Sequence, residues 1–292
     1  MDYQYLTTLF IKGELKTAVD YMRGFEELKD QVAAYDDIFE KEQYIHYDIP
    51  KVLDDILLDY QRYYRDAFYL GMEEEEASAA LLERLAEKLD VQSVVDELSE
   101  ALKVLFEENG YHILTGMTEG YRGPYVWKET VPTEYEVELP CSVSSYKVNI
   151  LRGFVMRSWM DYLTFGQKGT RGWAGEDGVI NCIEDAWDFE SEDFRVSLLK
   201  HEAQHVQDMA KWPDMTSAQL EFRAKLVELI YSENPALLAK FISQADASKK
   251  NDGHAIANAR IAEGFKGLED GPVSEIQKRA HDLFDLDNER RI

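Results

Sequence analysis

The segment of this sequence best suited to chemistry is His201-Glu202-Ala203-Gln204-His205, with two histidines four residues apart. On a helix, residues at this spacing lie on one face, so both imidazoles can reach the same metal ion. The glutamate between them can lean toward the open coordination position and take a proton from a water that the metal has made acidic. The resulting hydroxide would attack a carbonyl carbon. The motif therefore predicts metal-assisted hydrolysis, with Glu202 as the general base.

The residues around the motif favour a helix over residues 191–211. Ser191 is a good N-cap, two acidic residues follow it, and Pro213 cannot continue the helix. Phe194 and Leu198 share a stripe with the histidines. A second stripe is apolar and consists of Val196, Leu199, Ala203, Val206 and Ala210. This pattern is expected of a helix with one side in a core and the other open to a cleft; the alternative is a surface helix with an unrelated histidine pair.

A third ligand is expected, because catalytic zinc usually has three protein ligands and one open position. Glu221 is the first choice, on a helix predicted over residues 217–231. Glu228 lies two turns later on the same face, and is either the reserve ligand or an acceptor for a histidine N–H. Cys182 is a rival ligand, although a small core residue on a strand is the preferred interpretation. If Glu221 is not a ligand, it is expected to be a surface charge paired with Lys225.

The motif helix resembles that of the zincin metallopeptidases, and a glutamate ligand on a following helix is similar to the gluzincin subset. The segment Glu221-Phe222-Arg223-Ala224 resembles the Glu-x-x-Ala start of the third-ligand motif in several gluzincin families. In some of those families the next residue is an aspartate, which orients a metal-binding histidine. This chain has Lys225 at that position, so Asp208 or Glu228 would have to orient the histidine instead. The resemblance covers about residues 193–228. It implies a zinc-dependent peptidase with His201, His205 and Glu221 as the metal ligands.

The resemblance also implies parts of the site outside the motif. Zincins place a strand at the edge of the upper sheet, where an extended substrate adds as a further strand. Gly172, Trp173 and Ala174 are the candidate substrate-binding residues on that strand; an ordinary glycine-rich connection is the alternative. Gluzincins also tend to carry a downstream histidine or tyrosine that donates to the oxyanion. His254, which follows a predicted polar loop over residues 248–253, and Tyr231 are the candidates.

Hydrophobic periodicity changes at about residue 109. Before it, apolar residues recur at spacings of three and four, which predicts an all-helical N-terminal domain over residues 1–109. After it, alternating stretches predict a mostly antiparallel sheet, with a long strand over residues 154–165. Helices are then predicted over 191–211, 217–231, 235–245, 254–265 and 273–284. The predicted class is α+β, with a zincin-like domain over residues 110–292.

The net charge of −25, from 57 acidic and 32 basic residues, bears on the choice of partners. It disfavours nucleic acid and anionic membrane surfaces, whereas a basic peptide or protein substrate would be attracted. Two cysteines are too few for a disulfide framework. The sequence shows neither a signal-peptide pattern nor an apolar run of about 18 residues. A cytoplasmic location is therefore expected.

Two other functions stay open. The chain could be a binding or regulatory protein that holds zinc on the same scaffold without turnover, and a fourth protein ligand would favour that interpretation. It could also be a zinc hydrolase that acts on a non-peptide amide. The presence of Glu202 favours hydrolysis, since a site without turnover needs no base.

Overall fold

The computed structural model describes residues 1–175, 177–248 and 252–291. Contacts divide the chain into two compact units. The first unit contains Met1–Glu129 and Gly153–Thr170, and the second contains Thr130–Arg152 and Arg171–Ile292. The domain boundary expected after residue 109 falls inside the first unit, because the chain continues there through several short strands and returns to it after residue 152.

Six helices make up most of the first unit. Their buried faces follow the spacing of the apolar residues, as in Leu53, Ile56, Leu57 and Tyr60. The bounds are α1 (Tyr3–Ile11), α2 (Leu15–Met22), α3 (Lys29–Tyr35), α4 (Lys51–Tyr64), α5 (Glu74–Leu89) and α6 (Val95–Glu108). Short π-helical segments extend α3 over Asp36–Glu40 and α4 over Arg65–Tyr69. The predicted helical character of the N-terminal part is confirmed.

Short strands and one further helix complete the first unit. The chain forms β1 (His112–Leu114), β2 (Met117–Thr118), β3 (Tyr121–Arg122) and β4 (Tyr125–Trp127). Strands β5 (Glu129–Leu139) and β6 (Ser142–Arg152) come next along the chain and lie mainly in the second unit. It returns with β7 (Met156–Arg157) and α7 (Ser158–Leu163). Within the first unit, β4 pairs antiparallel with β1 and β7, and β2 pairs antiparallel with β3.

The long strand predicted over residues 154–165 is wrong. The strand ends at Arg157, because the next residue, Ser158, has a φ of 63°, which lies outside the extended region. Helix α7 then buries Trp159, Tyr162 and Leu163, which are spaced by three and four. A continuous apolar run can be a buried strand or a buried helix, and periodicity alone does not distinguish them.

The second unit contains a four-stranded sheet. Strands β8 (Gly172–Ala174) and β9 (Ile180–Ile183) join β5 and β6 in the order β5-β6-β9-β8. Strand β9 runs parallel to β6 and antiparallel to β8. The parallel pair is possible because a long connection separates β6 from β9 along the chain. Strand β8 is therefore a terminal strand of the described sheet, and the predicted α+β class is confirmed.

Five helices follow this sheet. They are α8 (His201–Lys211), α9 (Ser217–Tyr231), α10 (Ala236–Ser243), α11 (Gly253–Gly264) and α12 (Val273–Glu289). A π-helical segment, Phe194–Lys200, leads into α8, and the Oγ atom of Ser191 caps its start by accepting from the N–H of Phe194 at 3.1 Å. Helix α9 has the predicted bounds, and α12 continues beyond the predicted end at residue 284. Residues 249–251 of the predicted polar loop lie outside the described residues.

Helix α9 is the central helix of the second unit. It packs against α8, α11 and α12, and every residue from Glu221 to Ile230 is buried. A helix buried on all sides is ordinarily apolar, yet this one carries Glu221, Arg223, Lys225 and Glu228. Buried charges need partners. Those partners define the candidate site.

Candidate metal centre

The two motif histidines meet at their Nε2 atoms. His201 and His205 lie one turn apart on α8, both are buried, and their Nε2 atoms are 3.0 Å apart. Two ring nitrogens that face each other at this distance require either a proton or a cation between them. The histidine pair is thus oriented toward a common point and is not spread over a solvated helix surface.

Glu221 is brought to the same point by the start of α9. A capping box between Thr216 and Gln219 begins that helix after the turn that follows α8. The carboxylate oxygens of Glu221 lie 3.3 Å from Nε2 of His205 and 3.6 Å from Nε2 of His201. Because Glu221 is buried beside both histidines, the interpretation of this residue as a surface charge is wrong.

The spacing of these three side chains fits a tetrahedral metal ion. Two atoms bonded to one zinc ion at about 2.0–2.1 Å with tetrahedral angles are about 3.3 Å apart. The separations of 3.0, 3.3 and 3.6 Å lie on both sides of that value. Across the described ranges of the chain, His201, His205 and Glu221 form a three-residue group that could hold a metal ion, and no fourth ligand joins it. One coordination position would therefore remain open.

Glu228 orients the first histidine from two turns along α9. Its Oε1 atom lies 2.7 Å from Nδ1 of His201, within hydrogen-bonding distance. Burial alone would lower the pKa of His201, but the charge and hydrogen bond of Glu228, with the charges of Glu221 and Glu202, raise this pKa to about 9. A hydrogen bond at Nδ1 leaves Nε2 free to bind a metal ion. Of the two roles considered for Glu228, the geometry matches the acceptor for a histidine N–H.

His254 and Lys225 approach the other carboxylate oxygen of Glu221. The Nδ1 atom of His254 lies 2.8 Å from Oε2, and Nζ of Lys225 lies 4.0 Å from it. Burial would raise the pKa of Glu221, but contacts with the imidazoles of His205 and His254 and the charge of His201 together hold it well below its usual range. Glu221 is therefore ionised, which is the form of a carboxylate that can bind a metal ion.

The position of His254 depends on a close approach of two helices. A Cβ atom at Gly253 would lie 2.2 Å from Oγ of Ser217, so only glycine allows the start of α11 to touch the start of α9. Asp252 caps α11 by accepting from the N–H of Ala255. The next residue after the glycine, His254, then reaches Glu221 with a side chain that is 60% exposed.

Glu202 lies beside the group without joining it. It follows His201 on α8, it is half-buried, and its charge contributes to the raised pKa of His201. Within the described ranges, its side chain has no hydrogen bond or ion pair. A carboxylate on the motif helix that is not committed to another partner is available as a base.

Two other candidate site residues, Tyr231 and Cys182, lie away from the three-residue group. Tyr231 is at the far end of α9, where Nζ of Lys200 lies 3.7 Å from its ring centroid, and no contact joins it to the three ligands in the described residues. Cys182 is fully buried on β9 in the apolar core, and burial raises the pKa of its thiol to about 12. A thiol this resistant to ionisation suits a small core residue on a strand, as the sequence predicts for Cys182.

The three substrate-strand candidates form β8, at the edge of the sheet and beside α8. Close packing explains the glycine at position 172. A Cβ atom there would lie 2.5 Å from a methyl group of Leu198 and 2.7 Å from the carbonyl oxygen of Asn181. Trp173 is half-buried at the middle of the strand. The strand is thus held against the helix segment that precedes His201.

A buried charge network ties α8, α9 and α12 together behind the site. Arg223 donates through Nε to Asp208 at 2.8 Å and through Nη1 to Asp287 at 3.0 Å. Asp208 also accepts from the amide of Gln204 at 2.8 Å, so it does not orient either histidine. The network fixes the register of α8 against α9, on which the meeting of the histidines and Glu221 depends.

Sequence reasoning missed the roles of Lys225 and Arg223. The sequence predicts Lys225 as a possible surface partner of Glu221 and as a departure from the gluzincin motif, and it predicts no role for Arg223. The apolar residues that surround these two positions in the sequence, Phe222, Ala224, Leu226 and Val227, were the available signal. They leave no polar face on the helix, which predicts burial of the charges among them.

Replacing Glu221 by alanine should weaken zinc binding by more than about 100-fold, because the loss of an outer partner already costs about 10- to 100-fold. Competition with a chromophoric chelator measures the change in dissociation constant. Glu233→Ala, at an exposed position in the same unit, is the matched control and should bind as the wild type does. Unchanged binding by Glu221→Ala would remove Glu221 from the ligand set.

Comparisons of the chain with protein-family models, with curated proteins and with solved structures found no match. In the part of the chain that the structure describes, no helix has both the length and the apolar character needed to cross a membrane.

Proposed function

We propose that the chain is a zinc-dependent hydrolase of peptide bonds. The observation that carries the proposal is the convergence of His201, His205 and Glu221 at separations that fit a tetrahedral ion. Two histidines and one glutamate form a ligand set of catalytic zinc, which keeps one position open for water or substrate. Zinc in this site would act as a Lewis acid that acidifies the attacking water and polarises the scissile carbonyl.

Glu202 is the general base in this proposal. Its carboxylate takes the proton of the attacking water and returns it to the leaving amine, which completes the cleavage. Glu228 keeps His201 in the tautomer that presents Nε2 to the metal. His254, exposed at the rim beside Glu221, is better placed than Tyr231 to donate to the oxyanion.

The edge of the sheet supports a peptide as the substrate. Strand β8 ends the order β5-β6-β9-β8 and lies beside α8, so an extended chain that paired with it would pass near the motif helix. Main-chain hydrogen bonds along β8 would bind substrates of many sequences, and Trp173 would line a subsite. The net charge of −25 would attract basic peptides over acidic ones.

Elemental analysis of the purified protein tests the metal site. We expect about one equivalent of zinc in the wild type and little in His205→Ala, since two remaining ligands hold zinc weakly. His281→Ala, which removes an exposed histidine on α12, is the matched control and should retain the metal. A wild type that binds no zinc, even after zinc is supplied and the excess removed, would contradict the proposal.

A peptide library analysed by mass spectrometry tests the reaction. We expect cleavage by the zinc-loaded wild type, loss of cleavage with a chelator and recovery when zinc is restored. Bound zinc without cleavage of peptides or simple amides would favour the non-catalytic alternative. Hydrolysis confined to non-peptide amides would identify the third function.

A further inference from the structure

Lys225 is a buried cation that faces the candidate metal centre. It lies one turn after Glu221 on α9, and its side chain is 7% exposed. Its Nζ atom is 4.0 Å from Oε2 of Glu221 and 4.6 Å from the ring centroid of Phe241. In the described residues, Glu221 is the one carboxylate within ion-pair distance of this ammonium group.

Burial of an ammonium group is costly unless a counter-charge accompanies it. Lys225 therefore depends on the charge of Glu221, and the same carboxylate is the candidate metal ligand. The two oxygens of Glu221 have different surroundings: Oε1 lies 3.3 Å from Nε2 of His205, whereas Oε2 lies 3.6 Å from Nε2 of His201 and is also approached by Lys225 and His254. The ammonium group of Lys225 on the Oε2 side competes with a metal ion for the negative charge of this ligand.

We propose that Lys225 tunes the metal centre by weakening zinc binding and increasing the acidity of the bound zinc. The inference rests on the zinc site proposed above. The ammonium group draws the charge of Glu221 toward Oε2, and its own positive charge repels a divalent ion at the ligand oxygens. A metal ion that receives less charge from its ligands is a stronger Lewis acid. The lysine therefore lowers the affinity for zinc and raises the reactivity of the bound ion.

Lys225→Met tests this inference, because methionine keeps an unbranched apolar stem and removes the charge. We expect the zinc dissociation constant to fall by about tenfold or more, because the substitution removes a positive charge that repels the ion in a poorly solvated site. Turnover with a peptide substrate should fall at the same time. Without metal, the variant should melt at a lower temperature than the wild type, since Glu221 has lost a buried counter-charge, and added zinc should raise that temperature more than it does in the wild type.

The sign of the affinity change separates tuning from a merely structural role. A lysine that only supports the fold would, when removed, leave zinc binding equal or weaker, and that result would overturn the inference. Lys225→Arg keeps the charge and should bind zinc as the wild type does, and Lys240→Met, at an exposed position of α10, should change nothing. If Lys225→Met does not fold, Lys225→Gln provides the same measurement with a polar neutral side chain.

The outcome also distinguishes this inference from the proposed function. A wild type that binds no zinc overturns both. A wild type that binds zinc and cleaves peptides, beside a Lys225→Met variant with no gain in affinity, overturns the tuning role alone.

Discussion

Glu202→Gln should keep about one equivalent of zinc and lose about 10²- to 10⁴-fold in turnover, the range expected when a general base is removed. Glutamine has nearly the same shape as glutamate but cannot take a proton from the attacking water. Glu202 is not a member of the ligand group, so the metal should stay. Zinc analysis and steady-state kinetics on one preparation measure both effects.

The control for this variant is Glu233→Gln, which removes one exposed carboxylate from the same unit and should change neither quantity. Loss of zinc from Glu202→Gln would mean that Glu202 is a ligand or a support for the fold. Retention of both zinc and turnover would assign the base to another group. Either result would contradict the mechanism. If zinc is lost because Glu202 is a ligand, the metal site has a different ligand set from the one proposed.

Arg223→Met should destabilise the second unit by about 3–5 kcal/mol, the cost expected when one partner of a buried ion pair is removed. Arg223 is 2% exposed and is shared by Asp208 and Asp287. The substitution leaves Asp208, which is fully buried, without its cation. Urea denaturation measures the change, and Arg195→Met, an exposed arginine, should change stability by less than about 0.5 kcal/mol.

The stability from this network should also depend on pH. Burial would raise the pKa of Asp287, but hydrogen bonds and charge from Arg291 and Arg223 lower it. A carboxyl whose pKa is depressed in the folded state contributes stability above its unfolded pKa, about 3.9, and loses it as the pH falls through the folded value. The loss in free energy of unfolding caused by Arg223→Met should therefore be largest near neutral pH and smaller in acid. A loss of stability that is small at neutral pH would show that the network does not support the fold. A loss that does not shrink in acid would show that titration of Asp287 does not control it.

Arg223→Met should also weaken zinc binding, although Arg223 contacts none of the three candidate ligands. Its two carboxylate partners are on α8 and α12, so the network sets the register of α8 against α9. The ligand separations of 3.0–3.6 Å leave little room for a helix to shift.

Local sequence was sufficient for several features of the candidate site. The spacing of His201 and His205 determines that both rings share a face once the segment is helical, because a helix repeats every 3.6 residues. Ser191 and the Thr216–Gln219 capping box mark helix starts through short-range hydrogen bonds, and α9 has its predicted bounds. Glu221 could be chosen as a partner because a short turn between two helices brings the following helix back along the first.

The tertiary structure decided what surrounds each helix. Periodicity identifies the faces of a helix but not how many neighbours cover them, so the burial of α9 and the role of Lys225 follow only from the packing of α8, α11 and α12. The contact of Glu228 with His201, and the distance of Tyr231 from the ligands, depend on how α8 crosses α9. The parallel pairing of β6 with β9, which leaves β8 at the edge, depends on a long connection whose path no local pattern specifies.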